Sequence, residues 1–114
     1  MKRILVYVIL GLMLLCLFSS TALASKDSAL IQASLSFNGT TANCYANIAE
    51  NGQKITATME LWQGNTKLAT WTDNGTSFLT LQESYPVQKG VTYTLKIYGT
   101  SGSNPINATR IATC

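Results

Sequence analysis

Three Asn-Gly dipeptides, at Asn38-Gly39, Asn51-Gly52 and Asn74-Gly75, cut the chain into runs too short for a long helix. Asn-Gly is the pair that tolerates positive φ in a tight hairpin loop. Gly64-Asn65 offers a fourth turn, and Gly99 to Pro105 reads as a longer loop. Between these breaks lie about seven runs with period-2 alternation. One apolar face and one Thr-rich face per run is the pattern of a sheet with one dry side and one wet side.

The first run spans roughly Ala29 to Phe37, with Ile31, Ala33, Leu35 and Phe37 on one face. The second, Ala42 to Ala49, groups Ala42, Cys44, Ala46 and Ile48. In the third, Lys54 to Trp62, Ile55, Ala57, Met59 and Leu61 oppose Thr56, Thr58, Glu60 and Trp62. The fourth is Lys67 to Thr72 and the fifth Thr76 to Leu81. The sixth sets Val91, Tyr93, Leu95 and Ile97 against Thr92, Thr94, Lys96 and Tyr98, and the seventh is Ile106 to Thr113. Two such half-wet sheets bury their dry faces against each other. The expected fold is an all-β, seven-stranded antiparallel sandwich.

The N-terminus follows a different rule. Lys2 and Arg3 precede an apolar stretch from Ile4 to Phe18, then Ser19-Ser20-Thr21 and Ala22-Leu23-Ala24. This order of basic, apolar and small residues predicts a cleavable secretory signal over residues 1–24. The stretch is short of the roughly 20 residues that a membrane span needs. Cys16 would leave with the signal. Cleavage after Ala24 leaves 90 of the 114 residues as one domain, residues 25–114. The expected location is extracellular, with no stable membrane span once the signal is gone.

Removing Lys2 and Arg3 from the eight basic residues leaves six against five acidic ones, a net charge of +1. No basic stripe tracks a phosphate backbone, which argues against nucleic acid. A domain this small gains from a covalent staple. Cys44 and Cys114 form an even pair in an exported chain and are expected to be a disulfide. With no His and no CxxC spacing, no metal site or cofactor is expected.

The segment Val87-Gln88-Lys89-Gly90-Val91-Thr92-Tyr93-Thr94-Leu95-Lys96-Ile97-Tyr98 resembles the loop and sixth strand of fibronectin type III domains. In that family a Gly precedes a Tyr by three, and the Tyr hydroxyl bonds back to upstream backbone as a tyrosine corner. The resemblance implies that role for Tyr93, with Gly90 as the Gly. The Pro usual before that Gly is Lys89 here, and no Cys follows Tyr93 by two. The layout also resembles small, single-domain, immunoglobulin-like exported proteins of Gram-positive bacteria, which implies a fold and not an activity.

The inventory argues against an enzyme. Without His, a Ser or Cys nucleophile lacks its commonest base. The carboxylates Asp27, Glu50, Glu60, Asp73 and Glu83 fall in turns, a tail or a wet strand face, and read as solvated charges. Asp73-Asn74-Gly75-Thr76 lacks the later acidic ligands of a calcium loop. Asn38, Asn74 and Asn107 open glycosylation acceptor triplets, which matter only in a eukaryotic source.

One constellation is aromatic. A two-residue loop at Gly64-Asn65 pairs Trp62 with Lys67 and Thr58 with Trp71, so both tryptophans share the wet face with Glu60 and Lys67. A fibronectin-type arrangement lays the sixth strand beside the third and adds Lys96 and Tyr98. The alternative puts Trp71 in the core: a three-residue loop would shift the register by one and flip every side chain of the fourth run. Exposed aromatics among a few polar groups suit an extracellular glycan or a protein partner. The expected function is a secreted or cell-surface binding module. The alternative is a secreted effector, such as a bacteriocin-like peptide or an enzyme inhibitor.

Overall fold

Alternation of apolar and polar residues produces five antiparallel strands: β1 (Leu30–Asn38), β2 (Thr41–Gln63), β3 (Thr66–Pro86), β4 (Thr92–Ser101) and β5 (Asn104–Thr113). The computed structural model describes residues 29–114, so the signal expected over residues 1–24 lies outside the described residues. The sheet runs β1-β2-β4-β5, with β3 also paired to β2. The described residues are therefore all-β, as the alternation requires, but with five strands rather than seven.

The count falls because two of the expected hairpins are bends. β2 holds both the second and third runs, and β3 both the fourth and fifth. The β2–β3 register stops at Ala49↔Phe78 and resumes at Lys54↔Thr76. Across that interval β2 carries residues 50–53 while β3 carries Ser77 alone. Gly52 (φ +80°) and Ser77 (φ +70°) absorb the change of direction, and the Gly52 N–H donates to Ser77 Oγ at 3.0 Å. Both strands bend together, so pairing continues on either side. Asn51-Gly52 thus supplies backbone freedom without reversing the chain, whereas Gly75 stays in the strand opposite Ile55, where an added Cβ would meet the Phe78 carbonyl oxygen at 2.5 Å.

Each half of β2 has its own neighbours. Its first half pairs with β1 and with the second half of β3; its second half pairs with the first half of β3 and with β4. β5 returns along β4 through a two-residue loop at Gly102 and Ser103, where a longer loop from Gly99 was expected. Gly99 instead lies inside β4, where an added Cβ would overlap the carbonyl oxygen of Thr56. Only glycine permits that approach of β4 to β2.

Both halves contribute to one apolar core. Ala42, Cys44, Ala46 and Ile48 come from the first half of β2, and Ile55, Ala57, Met59 and Leu61 from the second. Leu79 and Leu81 of β3, Tyr93, Leu95 and Ile97 of β4 and Ile106 of β5 complete it. Phe37 on β1 meets Tyr93 on β4 at 6.0 Å between ring centroids, tilted by 47°. The apolar faces of the two halves thus pack on each other.

The C-terminus is held by backbone, not by the expected disulfide. Cys44 and Cys114 are both free thiols. Cys114 N–H donates to Val91 O at 3.0 Å, and its own carbonyl accepts from Gly90 N–H at 2.9 Å. Its Sγ lies 3.2 Å from Gly39 O, at the β1–β2 turn. Cys44 sits three residues further along β2 than its first residue Thr41, about 10 Å of strand, in the fully buried core. Cys114 is half-buried against the edge of that core, its thiol turned to the Gly39 carbonyl.

Candidate binding face

Thr56, Thr58, Glu60 and Trp62 alternate with the core residues of β2 and point away from them. Pairing with β4 sets Tyr98 beside Thr58, Lys96 beside Glu60 and Thr94 beside Trp62. Pairing with β3 sets Lys67 beside Trp62. Five of the six residues expected on this face, Glu60, Trp62, Lys67, Lys96 and Tyr98, therefore meet on it.

Glu60 is the hub. Trp62 Nε1 donates to its Oε1 at 2.9 Å, and the Tyr98 hydroxyl donates to its Oε2 at 2.7 Å. Lys67 Nζ lies 3.7 Å from the same Oε2. Its place on the wet face of the strand predicts a solvated charge. Instead it is only 7% exposed, walled by the residues that hydrogen-bond it. A buried carboxylate with several donors stays ionised because each donor favours the charged form. The Tyr98 hydrogen bond, first, then Trp62 and the two lysines outweigh burial and hold the Glu60 carboxyl below its usual range. The same bond pushes the Tyr98 phenol up, because its proton is shared with an anion.

Lys96 takes no part in that ion pair. Its Nζ stands 4.4 Å from the centroid of the Trp62 ring, in cation–π geometry. The indole is thereby fixed at both ends: its N–H by Glu60, its face by an ammonium. Thr58 Oγ1 and Thr72 Oγ1, 3.0 Å apart, extend the polar row toward β3.

Trp71 is the residue the face does not receive. Gln63↔Thr66 and Trp62↔Lys67 follow the two-residue loop as expected. The next pair is Leu61↔Ala69, so Leu68 is an extra residue in β3. This bulge pairs Trp71 with Met59 instead of Thr58 and turns it to the opposite side, half-buried against the core. A single inserted residue is enough, since the side-chain period is two.

Ile111 joins the face although its run carried no face assignment. It pairs with Thr94, one strand beyond Trp62, and is 68% exposed. Placing it required the short Gly102–Ser103 loop that sets the β4–β5 register.

Tyr93 and Gly90 lie at the edge of the core, away from this face. Tyr93 is 2% exposed, and its hydroxyl accepts the Gln88 N–H at 2.9 Å. The hydroxyl thus holds backbone five residues upstream of its own residue. Gly90 turns the intervening loop at φ +82°. Among the described residues no helix is long and apolar enough to cross a membrane. No protein-family model matches the chain, and no curated protein matches it.

Proposed function

We propose that this chain is a secreted or cell-surface binding module without catalytic activity, and that its ligand seats on the face built by Trp62, Tyr98, Lys67 and Lys96 around Glu60. The observation that carries this reading is the locking of Trp62 on a stiff sheet, by a hydrogen bond to Glu60 and an ammonium over its ring. Side chains already held in this way lose little freedom when a partner docks across the face. Ionisable groups gathered on a flat outer face suit recognition better than bond-making chemistry, which calls for a cleft that excludes water.

The sheet is best read as an immunoglobulin-like or fibronectin type III-like sandwich. β1 with the first half of β2 and the second half of β3 makes one layer. The first half of β3, the second half of β2, β4 and β5 make the other. The Tyr93–Gln88 bond supports the same assignment. Export by the N-terminal signal would put the face in contact with glycans or proteins outside the cell.

The test is a glycan-array and whole-cell binding screen of residues 25–114 alongside Trp62→Ala. Binding that Trp62→Ala abolishes supports the reading. Binding that Trp62→Ala leaves intact overturns this face as the site, and activity against cells without surface binding would favour a secreted effector.

A further inference from the structure

Resting on that reading, we infer that the ligand is an anionic glycan whose acidic groups are met by Lys96 and Lys67. Glu60 is the one carboxylate among the described outward positions of β2's second half, β4 and β5, and both its oxygens accept hydrogen bonds from neighbours. Little acceptor capacity remains there for the hydroxyls of a neutral sugar.

Donor capacity is the opposite. Among the described residues Lys96 makes no ion pair, and its ammonium stands over the ring of Trp62. Lys67 is 47% exposed and reaches Glu60 at 3.7 Å, a loose ion pair that leaves N–H groups free. The two lysines stand on β3 and β4, either side of β2 and staggered by two residues along it, so their backbones are about 12 Å apart. Two cations therefore face outward across one neutralised anion. An ammonium at 4.4 Å from the ring centroid also blocks a sugar from stacking on that face of Trp62. An acidic group can meet Lys96 beside the hydroxyls of Thr94 and Thr109, which neighbour it on β4 and β5. Tyr98, 44% exposed, and Ile111, which pairs with Thr94, then flank the Lys96 contact on its two sides, where successive sugar rings can lie against them. A protein partner would need the flat face to present more apolar area than these two residues give.

The experiment measures binding of the full secreted chain to polygalacturonate, dextran sulfate, neutral dextran and polyglutamate. The variants are Lys96→Gln, Lys96→Arg and, as a charge-matched control in the β3–β4 loop, Lys89→Gln. The expected result is binding to polygalacturonate or dextran sulfate that weakens with salt. The choice between these two identifies the acidic group as carboxylate or sulfate. Lys96→Gln should lose about tenfold or more in affinity, Lys96→Arg should keep most of it, and Lys89→Gln should be unchanged. Equal affinity for neutral dextran, or equal losses for Lys96→Gln and Lys89→Gln, would overturn the anionic assignment. Preference for polyglutamate would overturn the glycan. A neutral glycan bound through Trp62 in the array screen would refute this inference alone; no Trp62-dependent binding to any glycan or cell would remove the binding-face reading with it.

Discussion

Replacing Glu60 tests the hub directly. Glu60→Ala removes the acceptor of two hydrogen bonds, from Trp62 Nε1 and the Tyr98 hydroxyl, and the partner of Lys67. A hydrogen bond to a charged group contributes about 1.5–3 kcal/mol when fully buried. Tyr98 and Lys67 are both more than 40% exposed, so water can take over their lost contacts and the lower end applies. The Lys67 pair adds well under 1 kcal/mol for the same reason. Glu60→Ala should therefore cost about 2 kcal/mol. Glu60→Gln, whose carbonyl can still accept from Trp62 and whose amide can donate to Tyr98, should cost about 1 kcal/mol or less. The pH dependence separates charge from packing. The Glu60 pKa is depressed on folding, so its charge stabilises the fold above the unfolded carboxyl value of about 4.3. That stabilisation fades as pH falls through the folded value. Urea unfolding at neutral pH and at successively lower pH is the assay. The gap between wild type and Glu60→Gln should close on acidification, while the Glu60→Ala gap should keep a residue from lost packing. A gap that stays constant with pH, or a cost near zero for Glu60→Ala at neutral pH, would refute the hub.

Other perturbations probe the remaining supports. Trp71→Ala should destabilise by about 2–4 kcal/mol, since the ring packs on the core, whereas Trp62→Ala should cost less; urea midpoints that reverse this order would contradict the Leu68 bulge. Tyr93→Phe leaves the Gln88 N–H without its acceptor and should cost about 1–2 kcal/mol in the same assay. Thiol labelling of the native protein near pH 8 should modify Cys114 and spare Cys44, whose thiol is pushed up to about 11 by burial and by Glu83; rapid labelling of both would show that Cys44 is not enclosed.

Much of this face is legible because a strand's alternation settles what lies on each side of it. Glu60 and Trp62 follow from the pattern of β2 alone, and Lys67 from the length of the Gly64–Asn65 loop. Trp71 is misplaced because turn length fixes register only as far as the next irregularity. The local trace of that irregularity is the adjacent apolar pair Leu68-Ala69, which breaks the alternation of β3. Burial of Glu60 cannot be read from β2, since its walls include Tyr98, 38 residues away. Asn51-Gly52 and Asn74-Gly75 mislead for a different reason. The dipeptide reports local freedom for positive φ, and whether the chain reverses or merely bends depends on the strand beside it. The cysteines follow the same logic: parity and compartment favour a bridge, but the geometry that permits one is set by β5 and the β1–β2 turn.

The passage of β2 and β3 through both halves of the sheet also governs how the molecule comes apart. In a sandwich whose layers share only connecting loops, one layer can open while the other persists. Here, opening either layer requires breaking part of the same two strands, whose turn at Gly64–Asn65 brings them together locally. β2, paired on both sides in each half, should be the last strand to lose amide protection in hydrogen exchange, and β1, β3 and β5, each paired on one side, should fray before it. Exchange of the β2 amides on both sides of the bend at residues 50–53 should then report one cooperative unit, so that a destabilising change in either half lowers protection in the other.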